Sequence, residues 1–486
     1  MSNFSRRALL AAGFSLFALP ALAQPLSGVD LLAAELLALA EPSATPALRR
    51  SFWERRMSEA GRRRWPIEDF ERVMGRLAVQ SGGLDYLGHR LVNGVPRLRL
   101  KARAPGVERW MRLRLDRDDP SRLFDFGAFP SPAPYDGPGV AGPASRSELS
   151  AAIEARLRFA HARDEFSGAA RVLAPDGAVV YEGAFGIADR PSGARCAADT
   201  RFNLGSADKS FTAIETLRLV AAGKLSLETP LIEVLAGYPN AEAARAINIG
   251  HLLTHASGLG GLFDRPGWAA LGDWTRMADI LPVFAAGPLA FAPGTRAAYS
   301  NEGYVVLGAV IEAVSGESWY ERVNRNIYAR AGMSRSGHFP YAKPLEGRAT
   351  GYRYAEDDPL GLGERQPHLG AGPRGNSCGG GYSTVRDMTA YLTALRAGRL
   401  LDPAVLAPMV KQNEGGLSQY GMGFQVIPTG GRTVVGHSGG GPHSGIDGDN
   451  GLIWETGWCW SILGNYDAPF AGEIARDIRA WLALQP

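Results

Sequence analysis

The chain has 486 residues, 45% hydrophobic and 21% charged, with a formal net charge of +3. This is the balance of an ordinary globular protein long enough for a large domain and a smaller one, and it excludes a chain that is mainly disordered. So small a net charge leaves no footprint for a nucleic-acid partner or a membrane surface.

The opening stretch, MSNFSRRALLAAGFSLFALPALAQP, carries Arg6 and Arg7, then an apolar run, then Ala21-Leu22-Ala23 as a small-residue cleavage site. Residues 1–23 read as a secretory signal peptide, which predicts an exported protein, periplasmic or secreted. Ser5-Arg6-Arg7 ahead of Leu9-Leu10 suits twin-arginine export, and a general secretory signal fits as well. The run is too short and too interrupted by Gly and Pro to span a membrane, and no later stretch of the mature chain reads as transmembrane.

From 24 to 128 the chain predicts a small α+β accessory domain. DLLAAELLALA, RRSFWERRM and IEDFERVMGRL place apolar residues at helical spacing. The period then changes to two: Leu98, Leu100 and Ala102 alternate with arginine and lysine, as do Met111, Leu113 and Leu115, which reads as half-buried antiparallel strands. The basic run from Arg49 to Trp65 is interrupted by Glu54 and Glu59 and reads as a solvated helix face. Residues 129–145, FPSPAPYDGPGVAGPAS, are rich in Pro, Gly and small residues and read as a linker.

A larger domain is predicted over 146–486. It opens with the helix SELSAAIEARLRFAHAR and two strands, GAARVLAP and AVVYEGAFG, joined at Asp176-Gly177, a hairpin signal. Helical segments fill the middle, strands return in GFQVIP, TVVGH and WCWSILGNYD, and the helix FAGEIARDIRAWLALQ closes the chain. Strands at both ends with helices between predict one antiparallel sheet completed by the first and last parts of the domain. Cys196, Cys378 and Cys459 are too scattered for a disulfide framework, although a single pair with one thiol left over is compatible with export.

Two serines compete for the role of nucleophile. Residues 436–440, GHSGG, match G-x-S-x-G, the strand-to-helix elbow that exposes a reactive serine. The elbow needs a helix straight after it, and GGGPHSGIDGDNG cannot begin one; downstream, only His443 is on offer as a base. The rival is Ser206 in RFNLGSADKSFTAIETLRLVAAGKLSL, where apolar spacing predicts a helix from about 207 to 222. Lys209 then lies one turn from Ser206 on the same face, and the helix N-terminus offers N–H donors to a developing oxyanion. Only five of the 52 basic residues are lysine, so this one is not a generic positive charge. The competing reading makes Ser206 a helix N-cap and nothing more.

These residues then fall into a pattern. Ser206-x-x-Lys209, Tyr299-Ser300-Asn301 and His437-Ser438-Gly439, in that order and widely spaced, resemble the three active-site motifs of the class C β-lactamase and D,D-peptidase superfamily of serine hydrolases. GKLSLETPLIEVL, INIGHLLTHASGL and GGGYSTVRDMTAYL are similar to connecting segments of the same family, and the resemblance runs from about 147 to the end but not into the first domain. It implies an α+β fold of the β-lactamase/transpeptidase type, with an antiparallel sheet flanked by helices and a helical region. Ser206 would be acylated, Lys209 and Tyr299 would together manage its proton, and Asn301 would orient the substrate and the lysine. His437, Ser438 and Gly439 would line the substrate, and the N–H groups of Ser206 and Gly440 would form the oxyanion hole. Which of Lys209 and Tyr299 accepts the proton stays open, and the two are read as one coupled base.

No metal or other cofactor is expected. His251 and His255 have a helical ligand spacing but lack both the general-base Glu and a third ligand, so they read as structural. Cys378 reads as a small packed residue. His437 stands where many relatives carry lysine, and a histidine is charged only part of the time near neutral pH, so a firm ion pair with a substrate carboxylate is not assured. This favours an esterase or a D,D-carboxypeptidase-like hydrolase of D-amino-acid amides and peptides, a small molecule or a peptidoglycan-type peptide being the partner. A β-lactamase is the alternative within the enzyme class, and a non-catalytic ligand-binding protein is the alternative outside it. The segment from about 334 to 376 is expected to form a loop over the site and set specificity. No feature of the sequence specifies an oligomeric state.

Overall fold

The computed structural model describes residues 28–486 except 93, 127–129, 263–273, 356–357, 359, 369, 371 and 414–415. The signal peptide and its twin-arginine reading, and the first residue of the expected linker, lie outside the described residues. Among them, no helix is long and apolar enough to cross a membrane. The chain divides into two compact units, one ending at Pro134 and also including Tyr354–Gln366, the other formed by Tyr135–Arg353 and Pro367–Pro486.

In the first unit, helices α1 (Gly28–Ala38), α2 (Pro46–Arg56), α3 (Glu59–Arg64) and α4 (Ile67–Ser81) precede four strands, β1 (Leu84–Val92), β2 (Val95–Ala102), β3 (Glu108–Leu115) and β4 (Leu123–Phe126). The strands form one antiparallel sheet in sequence order. Thr45 and Ser58 cap α2 and α3, each accepting an N–H three residues on. Leu98, Leu100 and Leu113 point into a core shared with Phe52, Phe70 and Leu77, as the alternation requires. β1 is not among the predicted strands because Gly88, at φ 113°, interrupts its period with a bulge between Tyr86 and His89. Several arginines of the basic run are paired within the unit, Arg56 with Glu35, Arg50 with Glu71 and Arg64 with Asp125. Residues 354–366, which fall inside the predicted 146–486 domain, belong to this unit instead: Leu360 is fully buried in its core, and Arg109 donates to the carbonyls of Leu360 and Gly361 at 3.1 and 3.0 Å.

The second unit is built on a six-stranded antiparallel sheet. Helix α5 (Arg146–Ala162), opened by a Ser145/Glu148 capping box, leads to the hairpin β5 (Gly168–Leu173) and β6 (Val179–Phe185). Helices α6 (Asp208–Ala221), α7 (Asn301–Ser315) and α8 (Val385–Arg396) follow, then β7 (Gln425–Thr429), β8 (Arg432–Gly441), β9 (Ile446–Ile453), β10 (Cys459–Gly464) and α9 (Phe470–Ala483). The order across the sheet is β7-β8-β9-β10-β5-β6, so the last strand pairs with the first, as strands at both ends of the sequence imply. One face packs against α5 and α9 through Leu149, Ile153, Ile474 and Ile478; the other packs against α6, α7 and α8 around Phe211, Ile214, Val305 and Leu392. Residues of the expected linker are laid onto the first of these layers: the Tyr135 ring meets Phe159 edge-on at 5.2 Å, and the Ala144 N–H donates to Gln485 at 2.9 Å. β9 is absent from the predicted strands because IDGDNGLI looks like a turn. Its glycines instead make room, since a Cβ on Gly451 would lie 2.5 Å from the Trp460 ring. All three cysteines are unpaired thiols.

Candidate functional site

Ser206 sits in a tight 3-10 turn, Gly205–Ala207, that feeds α6. The α-helix begins at Asp208 with Ala207 at its N-cap and no side-chain capping bond, so Ser206 does not have the capping role. The turn replaces the first residue of the predicted helix and leaves Ser206 half-buried. One turn on, the fully buried Lys209 reaches back, its Nζ 3.1 Å from Ser206 Oγ.

Two further acceptors hold the amine: Asn301 Oδ1 at 2.8 Å and the carbonyl of Cys378 at 2.5 Å. Asn301 is the first residue of α7, whose N-cap Ser300 accepts the Gly303 N–H. The Cys378 carbonyl is brought in by a clamp on the Gly205–Ala207 turn. Gly380 N–H donates to Gly205 O at 3.1 Å, Gly381 N–H to the Asp208 carboxylate at 2.6 Å, and Thr212 to Ser377 O at 2.7 Å. The Cys378 thiol itself is buried and pushed up to about 11, burial being the main cause, so it is inert packing. Asn301 Oδ1 and the Cys378 carbonyl can only accept, whereas the Ser206 hydroxyl can accept or donate. An ammonium at Lys209 therefore donates three times, and a neutral amine donates twice and turns its lone pair to Ser206.

Tyr299 joins by its ring rather than its hydroxyl. The ring centroid is 4.9 Å from Lys209 Nζ, and the residue is 44% exposed. Behind it stand Tyr304, Tyr420 and His255, with His255 4.4 Å from Tyr299, 5.1 Å from Tyr304 and 4.7 Å from Tyr420 between ring centroids.

β8 closes the site. A Cβ on Gly439 would fall 1.8 Å from Leu204 O, and one on Gly205 would fall 2.5 Å from the Gly440 nitrogen, so this strand runs backbone to backbone against the turn that holds Ser206. Only glycine permits that approach, and Gly440 also adopts φ 121°. The Ser206 and Gly440 N–H groups are thereby brought to the same corner. Ser438 is tied to Gln425, whose Nε2 donates to Ser438 Oγ at 2.9 Å and whose Oε1 accepts the Ser438 N–H at 3.1 Å. An amide N–H cannot take a proton from a hydroxyl, so Gln425 is no base for Ser438.

His437 is 4% exposed and both ring nitrogens are engaged, Nδ1 donating to Ser438 O at 2.6 Å and Nε2 accepting from the Tyr420 hydroxyl at 3.0 Å. Burial, and then the charge of Lys209, lowers its imidazole to about 3, so the ring is neutral. His251 and His255 do not share a helix face. The helix ends at Leu253 and His255 lies in the left-handed region at φ 60°, turning its ring to the tyrosines while His251 Nδ1 accepts the Asn248 N–H. The structure thus brings together the serine, lysine, tyrosine, asparagine and glycines singled out in the sequence, and adds Tyr420, Tyr304, the Cys378 carbonyl and the place of His255, which sequence reasoning misses. The sole pointer to the last is its four-residue offset from His251.

A family model described as Beta-lactamase matches residues 153–485. The chain is 30% identical over 306 residues to Esterase EstB of Burkholderia gladioli, the match covering 56% of this chain and 76% of the esterase. It is 28% identical over 308 residues to a D-aminopeptidase of Brucella anthropi, covering 61% of this chain and 55% of that protein. Among solved structures it is similar to a penicillin binding protein from Bacillus halodurans, with a TM-score of 0.60 and 30% identity over 68% of this chain and 98% of the other.

Proposed function

The chain belongs to the beta-lactamase family and is a serine hydrolase, and from that premise we propose that it is an exported enzyme that forms an acyl-enzyme on Ser206 and cleaves an ester or a D-amino-acid amide. The observation that carries this is the set of three bonds around Lys209 Nζ, two to obligate acceptors and the third to Ser206 Oγ. In the neutral form the amine's lone pair faces the serine proton. Ser206 Oγ then attacks the substrate carbonyl carbon while its proton passes to the Lys209–Tyr299 pair. The carbonyl oxygen, now an oxyanion, is met by the N–H groups of Ser206 and Gly440. As the C–O or C–N bond breaks, the leaving alcohol or amine collects the proton, and the exposed Tyr299 hydroxyl stands on the route. Water repeats the steps on the acyl-enzyme and frees Ser206.

The preference for an ester or amide without a carboxylate anchor rests on His437. A buried neutral ring, already donating to Ser438 O and accepting from Tyr420, offers no positive charge to a substrate carboxylate. β-Lactams and D-alanyl peptides, which carry that group, are accordingly the poorer substrates. The test is a panel of p-nitrophenyl esters, D-amino-acid amides, D-alanyl peptides and nitrocefin, with Ser206→Ala as control. Hydrolysis of esters or amides that vanishes in Ser206→Ala supports the reading. Nitrocefin as the preferred substrate overturns the preference, and full activity in Ser206→Ala overturns the mechanism.

A further inference from the structure

His255 lies outside the three motifs, yet it grips both sides of Tyr299. Its backbone carbonyl accepts the Ala298 N–H at 3.0 Å, and its Nδ1 accepts the Ser300 N–H at 3.0 Å. Its ring, fully buried, backs the Tyr299 ring at 4.4 Å. His255 makes both contacts from the left-handed backbone region, at φ 60°, which is uncommon for residues other than glycine. Because Nδ1 accepts, the ring proton sits on Nε2, and that N–H is buried with no hydrogen-bond partner among the described residues. The acceptor is thus presented from a left-handed backbone and beside a buried N–H with no partner among the described residues.

We propose that His255 is the positioning residue for Tyr299: its Nδ1 and carbonyl clasp the segment 298–300 so that the tyrosine ring stays over Lys209 and its hydroxyl stays on the proton route. This inference rests on the role given to Tyr299 above. The clasp works only with the neutral ring, since a second ring proton on Nδ1 would confront the Ser300 N–H. The surroundings enforce neutrality: burial above all, then the charge of Lys209, hold the imidazole well below its ordinary range.

The test separates the acceptor from the backbone. Asparagine and glycine both tolerate a positive φ, but only asparagine places an acceptor near the position of Nδ1. The expected result for p-nitrophenyl ester hydrolysis is that H255N keeps kcat within about threefold of the native enzyme. H255G loses about 10- to 100-fold in kcat with KM little changed, the loss expected when a catalytic group is displaced by about 1 Å. Free imidazole restores part of the H255G rate. H255Q, whose amide reaches one bond too far, supplies the acceptor-displaced variant if H255G does not accumulate as folded protein, and it is expected to fall as H255G does. Native kcat in H255G or H255Q overturns the inference, and so does H255N falling as low as either. Ser206→Ala in the same assay keeps the two claims apart: an active Ser206→Ala sinks the mechanism itself, whereas an inactive one beside a fully active H255G sinks the clasp alone.

Discussion

The tightest geometric constraint on the site is at Gly439, and it gives the sharpest expectation. In Gly439→Ala the new methyl carbon would start 1.8 Å from Leu204 O, 2.8 Å from Leu204 C and 3.1 Å from Ser206 N. These are backbone atoms, so no side-chain rotation relieves the overlap. Real contacts of this kind stay above 3.0 Å, so β8 and the nucleophile turn must part by 1.2 Å or more. A displacement of about 1 Å costs on the order of 100-fold in rate, and loss of one oxyanion-hole donor costs about 100- to 1,000-fold, or about 2.7–4 kcal/mol of transition-state stabilisation. The expected outcome is a kcat for p-nitrophenyl ester hydrolysis down by two to three orders of magnitude, with slow labelling of Ser206 by a fluorophosphonate. Gly441→Ala is the matched control, because a Cβ there meets nothing within 4 Å, and it should keep native kinetics. Circular dichroism and thermal melting establish that both variants are folded. A folded Gly439→Ala enzyme with kcat within about threefold of native would refute the placement of the oxyanion hole between Ser206 and Gly440.

Three other expectations follow from the same structure. Ser438→Ala removes a hydroxyl held by Gln425 and should weaken turnover without abolishing fluorophosphonate labelling, whereas loss of labelling would move the nucleophile to β8. His437, lowered to about 3 in the folded protein, regains its ordinary value near 6.5 on unfolding, so the unfolded chain binds more protons between those values and stability falls as pH is lowered through that window. The melting temperature of His437→Gln should therefore drop less steeply than that of the native protein from about pH 6.5 to pH 4, and parallel slopes would show that the ring is not held neutral. Leu360→Ala, in the fully buried part of the 354–366 segment, should cost about 2–5 kcal/mol in the urea-induced unfolding of the N-terminal unit while kcat stays native. An unchanged urea midpoint would remove that segment from the core of the unit.

What could be read without coordinates was whatever depends on local periodicity. α6 and α7 carry their apolar stripes in consecutive turns, and the Asp176-Gly177 hairpin announces itself in two residues. β1 escapes the same reading because Gly88 sits in a bulge that breaks its period, and β9 because Gly448 and Gly451 remove side chains from the alternation while its ladder with β8 stays continuous. The insertion of 354–366 into the N-terminal unit escapes it for another reason. Leu360 and Arg109 are 251 residues apart, and nothing in either stretch marks the partner.

The site divides along the same line. Ser206 and Lys209 are legible as a pair because a helix sets their separation, and Asn301 because it opens one. The layer behind them is set by tertiary contacts alone: Tyr420 to His437 across 17 residues, Ser300 to His255 across 45, and Lys209 to the Cys378 carbonyl across 169. The last is a backbone atom that any residue type would supply, so no side-chain pattern could reveal it. GHSGG shows where pattern reading misleads. Glycines flank the serine of an elbow because backbone must approach backbone near a nucleophile, and they flank Ser438 for the same physical reason. Here the approaching backbone belongs to the strand, and the turn it touches, Leu204–Ser206, carries the serine proposed as nucleophile. The motif thus reports a close approach to a reactive serine without stating which serine it is. In this chain, Lys209 lies beside Ser206 and the Gln425 amide beside Ser438, and it is on that difference that the proposal of Ser206 rests.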